Sequence, residues 1–260
     1  LAFREKIWET SQKKQTNIVL ALDFPFEKPI KRQNLHERAA KIIDAVSPHI
    51  CAVKFNHHLV LPLGVFNGIQ KLVEKTHEKG LPAIMDCKVN DIGDTNRIIA
   101  EYYFEAGFDA LVANPFVGWD EGLKPVFETA RNQNKGVILL VYMSHKGASE
   151  GYGQTVVDAE SGTETPQYMV FAKKALKWNA DGVIVGATYP EKMREVHAVL
   201  GGKIPIYSPG VGIQGGEVES AIKAGASYLI VGRAITLAEN PAETSEKIKN
   251  LAWGFLAKHR

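Results

Sequence analysis

The stretch PAIMDCKVNDIGDT, residues 82–95, sets an apolar run directly before four charged residues and then opens into a helical pattern. Its first part, 82–86, reads as a strand buried on both faces, because nothing polar interrupts it until Asp86. From 92 to 106 the apolar spacing becomes that of a helix, and Gly107 stands where such a helix would stop. A strand that hands over to a helix in this way is one βα unit of a parallel sheet.

The same unit recurs in both directions. Strands are expected at 18–23, 50–55, 82–86, 108–113, 136–142, 181–185, 203–207 and 227–231. Helical periodicity fills segments such as 34–47, 64–79, 92–106, 165–178, 215–224 and 240–258, and Gly80 and Gly225 repeat the stop signal. An open doubly wound sheet commonly has fewer strands than the eight found here, so the expected fold class is α/β, a single (β/α)8 TIM barrel over residues 1–260. Segment 1–16, with its helical pattern over 2–15, is expected as an extra N-terminal helix closing the barrel bottom. Segment 144–164 (SHKGASEGYGQTVVDAESGTE) is expected as a long loop after strand five, placed to act as a lid or base-binding wall. A solvated insertion is the blander alternative.

With 45% hydrophobic and 23% charged residues the chain has the balance of a soluble globular protein. A net charge of +2, with basic residues interspersed among acids, leaves no nucleic-acid or membrane-surface footprint, while a small anionic ligand stays compatible. No apolar run reaches the roughly 18 residues of a membrane span, and there is no signal-peptide pattern. Cys51 and Cys87 lie in apolar runs without a C-x-x-C or Cys/His neighbour, so both are expected as reduced core residues of a cytoplasmic protein. The start at Leu1 rather than Met is compatible with excision from a longer polypeptide.

In a barrel of this kind, polar residues at the C-terminal tips of strands form the mouth. Asp23 ends strand one, Lys54 lies near the end of strand two, and Asp86 and Lys88 flank the end of strand three, with Asp91 and Thr95 just beyond. Residues 86 and 88 differ by two, so in an extended segment both side chains leave on one face. Singly, Asp91 reads equally well as a helix N-cap, and Lys54 with Asp86 as an ion pair tying two strands together. Charges crowded at the end of an apolar strand are harder to dismiss, since burying each costs several kcal/mol by typical estimates unless it is paired.

Residues 208–216 (SPGVGIQGG) follow strand seven and lead into a helix, and Gly232 and Arg233 follow strand eight. Those two loops are where many barrels hold a phosphate on backbone N–H groups and a helix N-terminus, and Arg233 adds a bidentate contact. Gly210, Gly212 and Gly215 also spell G-x-G-x-x-G, but a dinucleotide site wants an acid at the tip of the next strand. Here that tip is Gly232 and Arg233, which suits a terminal phosphate.

The segment DCKVNDIGDT (86–95) resembles the D-x-K-x-x-D-I-x-x-T signature of the orotidine 5'-monophosphate decarboxylase family. MSHKGA (143–148), SPGVGIQGG (208–216) and VGRAI (231–235) resemble that family's base-binding and phosphate-gripping segments, in the same order. With ALD (21–23) and VKF (53–55), the likeness spans strand one to strand eight. It implies conversion of orotidine 5'-monophosphate to uridine 5'-monophosphate and carbon dioxide, the last step of pyrimidine synthesis, with neither metal nor organic cofactor. Lys88 would donate the proton to C6, Asp86 would sit against the departing carboxylate, and Lys54 and Asp91 would complete a charged row. Asp23, Lys54, Asp91 and Thr95 would bind ribose hydroxyls, Ser144 would read the pyrimidine edge, and Gln214 would bridge phosphate and base. Gly232 and Arg233 would hold the phosphate, Pro209 would shape the closing loop, and Ile92, Gly210 and Val211 are further substrate contacts by the same likeness. Asp91 and Thr95 would act in the neighbouring site of a homodimer. Many relatives have Pro where this chain has Gly93, which removes no chemical group.

Two rivals remain at this point. A magnesium-dependent keto-sugar phosphate decarboxylase or hexulose phosphate synthase of the same superfamily would want a metal-binding Glu where this chain has Lys54. A barrel that binds a nucleotide monophosphate without catalysis belongs to another class, and the full charged set argues against it.

Overall fold

A computed structural model describes all residues of the chain except 27, 30, 159, 160, 213, 214 and 260. Eight parallel strands close a barrel in the order β1-β10-β9-β8-β5-β4-β3-β2. They are β1 (Ile18–Ala21), β2 (Ala52–Phe55), β3 (Ala83–Val89), β4 (Ala110–Ala113), β5 (Gly136–Tyr142), β8 (Gly182–Val185), β9 (Ile206–Pro209) and β10 (Tyr228–Val231). A two-stranded antiparallel hairpin, β6 (Thr155–Val157) and β7 (Glu164–Pro166), stands apart from the barrel. Almost every barrel strand is buried along its whole length, which is why the sequence shows apolar runs where a one-sided sheet would show alternation. Helices Arg32–Val46, Gln70–Glu78, Gly93–Glu105, Lys124–Asn132, Gln167–Trp178, Pro190–Leu200, Gly215–Lys223 and Pro241–His259 follow the strands. Gly80, Gly107 and Gly225 adopt φ of +68°, +97° and +107° at the ends of such segments, as their positions imply. Among the described residues no helix is long and apolar enough to cross a membrane.

Three expectations need correction. Strand three runs on to Val89, past its expected end at 86, because a bulge lets the ladder with β4 resume after an interruption. Strand seven occupies Ile206–Pro209 rather than 203–207, because Pro205 has no N–H to give the ladder and only its carbonyl pairs, accepting Val183 N at 3.0 Å. Segment 144–164 is not an open loop: it carries a helical turn, Ala148–Gly151, and most of the β6–β7 hairpin. Tyr152 is its anchor, buried against the rings of Phe116, Phe171 and Tyr142 at centroid distances of 5.4, 6.1 and 6.2 Å. The β-branched run Thr155-Val156-Val157 pairs back across a turn in which the Asp158 carboxylate accepts Ser161 N–H at 2.8 Å.

Helix Phe3–Lys14 packs at the N-terminal ends of the strands. Phe3 lies so close over the start of β5 that a Cβ built on Gly136 would collide with its ring. At the start of β4, the buried Asp109 carboxylate accepts Lys6 Nζ at 2.6 Å and Ala83 N at 2.8 Å and shares a hydrogen bond with His77 Nε2 at 2.8 Å. One side chain thereby ties together the N-terminal helix, the helix after β2 and the start of β3.

Burial pushes the Asp109 pKa up, but the hydrogen bonds from His77, Lys6 and Ala83 and the Lys6 charge outweigh it and hold it at about 2. Because the folded value lies below the unfolded one, the stability this carboxylate contributes is complete above pH ~4 and is lost as pH falls toward 2. Asp109→Asn is therefore expected to lower unfolding free energy at neutral pH by roughly 2 kcal/mol and to flatten that acid limb. Urea titrations at a series of pH values check this, and an unchanged limb would remove Asp109 as the staple.

Candidate active site

The C-terminal tips of β1, β2, β3 and β10 bring their polar residues into one arc. The Asp86 carboxylate is buried and takes both neighbouring ammonium groups, Lys54 Nζ on Oδ2 at 2.5 Å and Lys88 Nζ on Oδ1 at 2.7 Å. Lys54 is itself buried, whereas the Lys88 side chain is 38% exposed, so one lysine is a fixed strut and the other faces the open mouth. Burial would raise the Asp86 pKa, yet the fields and hydrogen bonds of Lys54 and Lys88 bring it below the usual carboxylate range. The site thus holds a buried anion between two cations.

The backbone achieves this by a bulge rather than by the regular pleat. Met85 pairs with Leu111 and Val89 with Ala113, so four steps on β3 match two on β4. Lys88 sits at φ +52°, a left-handed conformation that L residues adopt at some cost. An extended chain through 86–88 would put both side chains on one face; here they meet as well, but through a bulge and a left-handed residue. Cys87, between them, points the other way, with its thiol 3.5 Å from Val112 O and its pKa pushed by burial up to about 12.

Asp23 links this row to the segment after β10. Its Oδ1 accepts Asn56 Nδ2 at 2.5 Å, its backbone carbonyl accepts Thr236 Oγ1 at 2.8 Å, and a Cβ added at Gly232 would come 3.3 Å from its Oδ2. Arg233, the next residue, is exposed, and its side chain makes no ion pair or hydrogen bond among the described residues. On the other side of the mouth Ser144, Gly186 and Gly210 converge. A Cβ on Gly186 would stand 2.6 Å from Ser144 Cα, and one on Gly210 would stand 3.4 Å from Ser144 Cβ. Pro209 and Gly210 turn the chain out of β9, with Gly210 at φ +88°, and Val211 is buried beneath that turn. Gln214 lies outside the described residues.

Asp91, Ile92 and Thr95 do not join the row within this chain. Asp91 and Ile92 are exposed, and the Asp91 carboxylate accepts the Ile92 N–H at 2.7 Å. Nor is Asp91 the N-cap: the helix begins at Gly93, and Ile92 holds the cap position without a side-chain bond. Lys88 and Asp91 line a cleft of ≈ 390 Å³ together with His57, Val65 and Tyr102. Among the described residues no group of three or more His, Cys, Asp or Glu side chains is arranged to hold a metal ion.

A family model described as "Orotidine 5'-phosphate decarboxylase / HUMPS family" matches residues 16–248, from just before β1 to the last helix. The chain belongs to the orotidine 5'-phosphate decarboxylase / HUMPS family. It is 37% identical over 235 residues to the orotidine 5'-phosphate decarboxylase of Methanosarcina barkeri, covering 90% of this chain and 94% of that one. The crystal structure of orotidine 5'-phosphate decarboxylase from Pyrococcus horikoshii superposes with a TM-score of 0.73 at 35% identity, covering 90% of this chain and 98% of that one. The enzyme from Methanocaldococcus jannaschii, complexed with the inhibitor BMP, does so with a TM-score of 0.75 at 30% identity, over 91% of this chain and 98% of that one.

For this member of the orotidine 5'-phosphate decarboxylase family, sequence reasoning passed over two residues that position the site. Asn56 both steers Asp23 and caps the short helix His57–Leu63, accepting His58 N–H at 2.9 Å; an Asn closing the run VKFN is the available signal. Asn96 is fully buried and grips the Asp91 backbone from both sides, accepting its N–H at 2.9 Å and donating to its carbonyl. Nothing in the sequence separates Asn96 from an ordinary helical asparagine.

Removing the central carboxylate leaves a buried ammonium without its counter-ion. Asp86→Ala is expected to lower stability by about 3–5 kcal/mol, with Asp86→Asn milder. Chemical denaturation midpoints report it, and an unaltered midpoint would mean that Lys54 does not depend on Asp86.

Proposed function

We propose that this chain decarboxylates orotidine 5'-monophosphate to uridine 5'-monophosphate and carbon dioxide in pyrimidine biosynthesis, with Lys88 as proton donor. The observation that carries the reading is the Asp86 carboxylate shared by Lys54 and Lys88 at the mouth of a barrel of this family. When the bond from C6 to the carboxylate breaks, carbon dioxide leaves and an electron pair stays on C6 without a delocalising neighbour. Reactions this difficult need a barrier lowered by about 20 kcal/mol or more. An ammonium beside C6 opposes the developing negative charge and then supplies the proton, and the amine is afterwards reprotonated from water. Asp86 holds Lys88 in place, and its own charge repels the substrate carboxylate, a repulsion relieved as carbon dioxide departs. Asp23 and Lys54 take the ribose side, Ser144 the pyrimidine edge, Pro209, Gly210, Val211 and Gln214 the closing loop, and Gly232 and Arg233 the phosphate.

The same reading makes the active form a homodimer in which Asp91 and Thr95 serve the neighbouring site. Thr95, Ile98 and Tyr102 are spaced as one stripe along the helix that follows Asp91, and Ile92, Ile98 and Tyr102 are 68%, 38% and 58% exposed. Phe66, 49% exposed, packs edge-on against Tyr102 at 5.9 Å and widens the apolar face. A stripe that combines apolar surface with the polar residues to be shared supports a self-complementary contact. The free thiols of Cys51 and Cys87 suit a reducing compartment, and the cytoplasm is the proposed location.

The family's other branch is disfavoured by Lys54. Its ammonium occupies Asp86, the carboxylate that a divalent ion would need beside it. Decarboxylation insensitive to EDTA is expected, and loss of activity on chelation would favour the metal-dependent reading.

Added orotidine 5'-monophosphate should lose its absorbance in the presence of the protein, and Lys88→Ala should be nearly inactive. Uridine 5'-monophosphate binding without turnover would overturn the reading. Mixing inactive Lys88→Ala with inactive Asp91→Ala should restore about a quarter of wild-type activity, since half the dimers are mixed and each mixed dimer has one intact site. No recovery on mixing would place Asp91 in its own chain's site.

A further inference from the structure

The loop after β9 holds an anion of its own. Glu217 lies in the first turn of helix Gly215–Lys223, and its Oε2 accepts the backbone N–H of Gly212 at 2.7 Å. That amide belongs to the glycine loop whose N–H groups, with Arg233, form the proposed phosphate grip. A dianionic phosphate and a carboxylate compete for the same donors and for the same positive helix end. An acid placed there opposes the ligand that the loop serves.

We propose that Glu217 is an internal competitor for the phosphate subsite, occupying the Gly212 amide in the empty protein, yielding it to the incoming phosphate and retaking it as the product leaves. The inference rests on the proposed function only in taking a nucleoside monophosphate as the ligand. Glu217 makes no contact with the reacting carbon; it is a positioning residue that sets how tightly phosphate is held. Its contact occupies the Gly212 amide when no ligand is bound, and the same contact weakens product binding. Strong phosphate binding drives loop closure but would also slow release, so a resident carboxylate trades affinity for turnover.

Gly212 supplies an independent handle. Its φ is not in the left-handed region, and among the described residues the three nearest atoms a Cβ there would meet all belong to the Glu217 carboxylate, at the far end of an exposed side chain. Gly212→Ala therefore evicts the carboxylate while keeping the amide, whereas Glu217→Gln keeps the side chain and removes its charge.

Calorimetric titration of the full chain with uridine 5'-monophosphate, inorganic phosphate and uridine separates the contributions. Both variants are expected to bind uridine 5'-monophosphate and inorganic phosphate roughly three- to tenfold more tightly than the wild type, with uridine unchanged. Release-limited turnover should slow in parallel. A purely structural cap would instead weaken all ligands together or lower thermal stability with no change in the ratio of nucleotide to nucleoside affinity. Either result overturns the inference while leaving the decarboxylase reading standing. A wild type that does not bind uridine 5'-monophosphate at all would overturn both.

Discussion

One buried carboxylate between two ammonium groups is the constraint around which the mouth of this barrel is organised. Asp86 reaches Lys54 across the β2–β3 ladder and Lys88 two residues along its own chain. Neither lysine would be held in a largely apolar rim without it, and Asp86 would not stay ionised there without them. Their mutual dependence explains why the reading of the pair as structural glue and the reading as chemistry are not rivals. Lys54 is buried and ties two strands together, and the Asp86 that it fixes is what aims Lys88 at the opening.

The bulge in β3 is the backbone counterpart of that constraint. A regular strand would carry Lys88 onward along the pleat, while the interrupted ladder and the left-handed Lys88 fold it back to the carboxylate two residues before it. Strain of this kind persists only where surrounding contacts over-determine it. Here those contacts are the ion pairs on either side and the resumption of pairing at Val89 and Ala113.

The barrel was legible because eight apolar runs alternate with helical segments, and doubly buried parallel strands write themselves as uninterrupted hydrophobic stretches. The candidate site was legible where its residues sit on strand tips, as for Asp23, Lys54, Asp86 and Lys88, since position along a short strand fixes the end from which a side chain emerges. What escaped depends on contacts between segments far apart in the chain. The bulge leaves no compositional mark, Asn96 looks like any helical asparagine, and Glu217 gives no sign of reaching back to Gly212. The hairpin after β5 was hidden for another reason: its Gly, Ser and Thr content suggests an open loop, while a single aromatic, Tyr152, decides how it is anchored.

The double grip of Asn96 on the Asp91 backbone has a thermodynamic side. A peptide segment clamped at both its amide and its carbonyl by a fully buried side chain has few conformations left to surrender. For the proposed dimer, the donated segment is then rigid before the second subunit arrives, and subunit association bears little of the ordering entropy that a loose loop would impose. In that proposed dimer, affinity between protomers would be built partly into the interior of each one, at a residue that the partner need never touch.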